Sequence, residues 1–125
     1  MREGAVLAAA ALEYAANLLW LRHVTTGPVR QFLVCWCNDL FAGAAILAWA
    51  SVLLLLAGRP PLRRPLPAFA LVLACGLVWE VAAPLWKQAA VCDPWDFAAY
   101  LAGAAGYLAG MGWVTWSRKR AARLV

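Results

Sequence analysis

Charge is what this chain has least of. Of its 125 residues 14% are charged, six of them acidic and eleven basic. A soluble domain carries about a quarter charged residues. At 66% hydrophobic and a mean hydropathy of +0.72, this chain has too little polar surface to coat a globule in water, which excludes the soluble classes. A nucleic-acid partner goes with them, because the basic residues have no soluble fold to sit on. Histidine is nearly absent, with His23 alone, so Ser–His pairing and histidine-based metal helices are missing too. Period-two alternation is also lacking, which excludes a membrane β-barrel and leaves helices as the only way to satisfy every backbone group in lipid.

What remains is apolar runs. Four are expected to cross the membrane, at about residues 5–21, 33–57, 66–83 and 96–116, each near the 17–25 residues that span ~30 Å of hydrocarbon. The start of the second is open anywhere from Gln31 to Leu40. Thr26-Gly27-Pro28, Gly58-Arg-Pro-Pro61 and Pro84 to Pro94 mark the connections. The expectation is an all-α four-helix bundle, one integral membrane domain over residues 1–125. Glu13 breaks the first run before it can serve as the uninterrupted core of a cleaved signal peptide.

Loop charge orients the bundle. Arg2, Arg59, Arg63, Arg64, Arg118, Lys119, Arg120 and Arg123 gather on one face, against Arg22, Arg30 and Lys87 on the other. This predicts a multi-pass protein of the cell membrane with both termini cytoplasmic. Five of the six acids, Glu13, Asp39, Glu80, Asp93 and Asp96, then map to the outer half. A carboxyl in hydrocarbon costs ~3 kcal/mol on insertion scales, so each should face the bundle interior. Asn17 shares a helix face with Glu13. Asn38 adjoins Asp39, and Tyr100 lies one turn beyond Asp96. These seven, Glu13, Asn17, Asn38, Asp39, Glu80, Asp96 and Tyr100, are the expected lining of an outer acidic cavity. Arg22, His23, Arg30 and Lys87 are the available charge partners. Two plainer readings stand beside this one: the acids are interhelical polar glue, and Asn38 or Asp39 caps a helix that starts at Leu40. Asp93, before Pro94, suits a helix N-cap.

The chain also echoes itself. Glu13-Tyr-Ala-Ala-Asn-Leu18 aligns with Glu80-Val-Ala-Ala-Pro-Leu85, and Ala42-Gly-Ala-Ala45 with Ala102-Gly-Ala-Ala105. Read as a duplication, these are two helical hairpins in a parallel repeat. Gly103, Gly106 and Gly110 follow Tyr100 at helical spacing, either as a packing face within the bundle or as the interface of a homodimer. Cys35, Cys37 and Cys92 fall on the outer side, where Cys92 either pairs with Cys35 or Cys37 or all stay free thiols. No cofactor motif is present, and the cysteine spacing fits no usual metal pattern.

Asn38-Asp-Leu-Phe-Ala-Gly43, Gly76-Leu-Val-Trp-Glu80 and Cys92-Asp-Pro-Trp-Asp-Phe-Ala-Ala-Tyr-Leu-Ala-Gly103 resemble patterns of small, uncharacterised bacterial four-helix membrane proteins. The aspartate followed by a Tyr-x-x-Gly turn is similar to the VanZ-like family, named for low-level teicoplanin resistance. That family's Asp-x-x-x-Asn element has no counterpart here. The resemblance implies that Asp39, Glu80, Asp93, Asp96 and Tyr100 are its positions of interest, and it brings no established chemistry. The expected function is binding of a cation or of a lipid or cell-wall precursor headgroup at the outer face. The alternatives are an accessory subunit, a small transporter with Glu13 as relay, or, less favoured, an enzyme on a lipid-linked substrate.

Overall fold

A computed structural model describes residues 2–86 and 94–124. The described residues form four long helices with no strand. They are α1 (Arg2–Val24), α2 (Gly27–Leu56), α3 (Pro65–Trp86) and α4 (Pro94–Arg123). All four are long and apolar enough to cross a membrane. At 1.5 Å per residue, the 30 residues of α2 and the 30 of α4 each reach ~45 Å. Both therefore tilt or project from a ~30 Å core.

The first connection is short because its residues are suited to reversal. Thr25 and Thr26 are extended, and the Thr25 hydroxyl donates to the Leu21 carbonyl at 2.7 Å. Gly27 sits at φ 64° and Pro28 opens the next helix. That early start corrects the expected capping role of Asn38 or Asp39. The backbone is already helical at Cys37 and Asn38, so both polar residues lie inside α2. The far end of α2 closes in a Schellman motif: Arg59 N–H bonds Leu54 O at 2.8 Å and Gly58 N–H bonds Leu55 O at 3.0 Å, with Gly58 at φ 71°.

Helices α2 and α4 run side by side in the same direction at the centre, with α1 against α2 and α3 against α4. Their crossing is reciprocal. A Cβ at Gly43 would overlap the Tyr100 carbonyl, and one at Gly103 would overlap the Leu40 carbonyl. Each glycine thus faces the residue three positions before the other, as in a local two-fold. In lipid no hydrophobic force draws helices together, so close backbone approach of this kind supplies the packing. Gly103 is occupied inside the chain, whereas Gly106 and Gly110 have open space above them. The buried core is built of Leu47, Ala48, Ala68, Val72, Ala104 and Met111 with Tyr100 and Tyr107. Leu12, Leu19, Trp20, Leu56, Leu66 and Leu85 point outward, the distribution expected when the solvent is hydrocarbon.

Candidate functional site

Both α1 and α2 contain a π-helical turn, Asn17–Leu21 in one and Leu33–Cys37 in the other. Such turns rarely occur without a packing or functional cause. Here one side chain joins them. Asn17, wholly buried, donates from Nδ2 to the Leu33 carbonyl at 2.7 Å and to Asn38 Oδ1 at 3.0 Å, with Glu13 Oε1 farther off at 3.4 Å. The Cys37 thiol donates to the same Glu13 oxygen at 2.9 Å. Two buried acceptors, Glu13 Oε2 and Asn17 Oδ1, have no partner among the described residues. Replacing Asn17 by leucine leaves the Leu33 and Asn38 acceptors buried without a donor, at ~1–3 kcal/mol. Thermal unfolding in detergent should show that loss, and Asn17→Gln should recover little of it because the longer amide misses both acceptors.

Asn38 carries this network to a cavity of about 380 Å³ whose wall includes Tyr14, Asn38, Asp39, Gly76, Trp79 and Tyr100. Asp39 and Tyr100 share the cavity wall, and Asp96 and Glu80 lie within electrostatic reach of Asp39. Gly76 shapes this corner: a Cβ there would stand 3.3 Å from the Tyr100 ring. Phe97 meets the same ring edge-on at 6.4 Å between centroids. Asp96 occupies the first turn of α4, where an acid is favoured by the macrodipole.

The structure therefore brings six of the seven expected residues into two joined groups, Glu13–Asn17–Asn38 and Asp39–Tyr100–Asp96, and sets Glu80 beside the second. Among the described residues, it does not bring Arg22, His23 or Arg30 to them. Arg30 Nε donates to the Arg22 carbonyl at 3.0 Å, and His23 Nε2 lies 3.2 Å from the Leu18 carbonyl. Arg22 Nε is buried without a partner among the described residues. Cys35 and Cys37 are free thiols. Lys87, Cys92 and the capping role of Asp93 lie outside the described residues. Among the described residues, no three of His, Cys, Asp or Glu converge as a metal-ligand set.

A second polar cluster lies at the opposite end of the bundle, where sequence reasoning assigned only topology charges. Glu3, buried, pairs with Arg63. Arg63 Nη1 donates to the Tyr107 hydroxyl at 2.6 Å, and the guanidinium stands 5.2 Å from the centre of that ring. Tyr107 donates to Ser51 Oγ at 3.2 Å, which also receives the Leu62 N–H at 3.1 Å. The signal in the sequence was Glu3 itself, the one acid on a face of eight cations.

No protein-family model, curated protein or solved structure matches the chain.

Proposed function

We propose that this multi-pass membrane protein binds a cationic, amine-bearing group, free or as the headgroup of a lipid or cell-wall precursor, in the cavity at Asp39. The observation that carries the reading is a cavity inside an apolar bundle, walled by Asp39, Tyr14, Trp79 and Tyr100, with Asp96 and Glu80 around Asp39. Carboxylates supply charge and aromatic faces supply cation–π attraction, which strengthens as the cation is desolvated. The Asn17 and Glu13 acceptors, one and two hydrogen bonds behind Asn38 and without partners among the described residues, also favour a donor-bearing ligand. Of the five positions that the resemblance to the VanZ-like family marks, Asp39, Glu80, Asp96 and Tyr100 gather here, and Asp93 lies outside the described residues. In this reading the cavity faces the extracytoplasmic side and both termini are cytoplasmic, following the excess of Arg and Lys on the other face. The reciprocal Gly43 and Gly103 contacts support two hairpins related as a parallel repeat.

The test is a titration of the purified protein with ethanolamine and, separately, with Mg²⁺, read as Trp79 fluorescence by difference against Trp79→Phe. Ethanolamine should saturate the wild type. Asp39→Asn, with unchanged helicity, should bind it at least about tenfold more weakly, the loss of one charge contact in a dry site. Unsaturable wild-type binding, or equal affinity in the variant, would sink the proposal and return the acids to the role of polar glue.

A further inference from the structure

We infer that the other end of the bundle holds an anionic phospholipid, its chain in a groove between α1, α2 and α4 and its phosphate between Arg2 and Arg118. The groove encloses about 540 Å³ and is floored by small residues, among them Ala9, Ala44, Gly106 and Gly110. Its wall is apolar for most of its length, and Arg2 and Arg118 stand on it as the charged groups. A second cavity, of about 380 Å³, lies against the same two arginines and adds Glu3 and Arg63. An apolar slot and a polar chamber thus share one pair of arginines, the shape and polarity of a lipid with an acidic head. Basic pockets between membrane helices are recognised sites for such headgroups.

The local charge supports an anion in particular. Arg63 is neutralised by Glu3 and held on Tyr107, which leaves the charges of Arg2 and Arg118 to the ligand. Tyr107 and Met111 also line the groove. The Arg63–Tyr107 pair therefore stands at the wall between the two compartments, Tyr107 on the groove and Arg63 on the chamber. A second copy of the chain, seated through Gly106 and Gly110, is the competing occupant, but it would bring Arg2 and Arg118 against the equivalent basic end of its partner. Arginine recognises phosphate through a planar fork of N–H groups that donates to two oxygens.

The experiment is native mass spectrometry of the full chain released from nanodiscs of phosphatidylcholine doped with phosphatidylglycerol. Wild type should retain one phosphatidylglycerol. Arg2→Gln/Arg118→Gln should retain about thirtyfold less, from two phosphate-facing charges. Arg59→Gln/Arg64→Gln, on the same basic face but off the groove, should behave as wild type. Gly110→Leu fills the groove where a side chain meets open space, and it should expel the lipid with both arginines intact. Equal loss in the Arg59/Arg64 pair would reduce the effect to general surface attraction and overturn the site. Full retention in Gly110→Leu, or a dimer mass in place of the lipid adduct, would overturn it as well.

Discussion

Gly103→Ala should destabilise the bundle by ~1–3 kcal/mol, and Gly103→Val by more, while leaving the helices inserted. The cause is geometric. Any Cβ at 103 meets the backbone carbonyl of Leu40, which cannot swing aside as a flexible side chain would. Helices α2 and α4 must separate, and the reciprocal contact of Gly43 with Tyr100 opens with them. Gly43→Ala should therefore match Gly103→Ala, and the double variant should fall short of the sum because one opened crossing relieves both clashes. Gly112→Ala is the control, since nothing lies within 4 Å of a Cβ there. It should be neutral or slightly stabilising, as alanine is the better helix former. Near-UV circular dichroism against temperature in detergent reads the tertiary loss, and far-UV signal should persist. Gly43→Ala and Gly103→Ala should also lose ethanolamine binding, because the crossing sets Asp39 of α2 beside Tyr100 and Asp96 of α4. Gly103→Ala as stable as Gly112→Ala would mean that the crossing is looser than described.

Arg63→Met should cost ~3 kcal/mol, and adding Glu3→Met should restore most of it. A buried ion pair adds little net stability, yet removing one partner strands the other charge away from water. Glu3 is the deeply buried member, with its side chain 6% exposed against 29% for Arg63. The single Arg63 variant also deprives the Tyr107 hydroxyl of its donor and opens the Ser51 cluster, whose members come from α2, α4 and the connection before α3. Glu3→Gln should fall between, since the amide can still accept from Arg63 without a charge. Denaturation by increasing SDS in mixed micelles ranks the set. A double variant no better than Arg63→Met would show that the network acts through Tyr107 and Ser51 rather than through the buried charge.

Lipid as solvent was legible in the residues alone, because composition acts on every position at once. A chain with 14% charge has no other medium, and four runs of spanning length leave four helices. The residues that gather around the Asp39 cavity were legible for a related reason. An acid or amide in hydrocarbon must turn inward, so Glu13, Asn17, Asn38, Asp39, Asp96 and Tyr100 could be named without knowing which would meet.

Their partners belong to the tertiary structure. The helix that begins at Gly27 carries Asn38 and Asp39 past the capping role that their local sequence fits, because a turn residue eleven positions away outranks a local capping preference. Cys37 as donor to Glu13 and the π-helical turns around Asn17 arise from α1 lying on α2, and periodicity within either helix says nothing of that. Glu3, Ser51, Arg63 and Tyr107 are 104 positions apart at their extremes, and loop-charge counting treats Arg63 as one more cytoplasmic cation. The Ala-Gly-Ala-Ala echo was visible as a repeated string. That its two glycines face each other's helix was decided by parallel packing, where the absence of a side chain matters only against a particular neighbouring carbonyl.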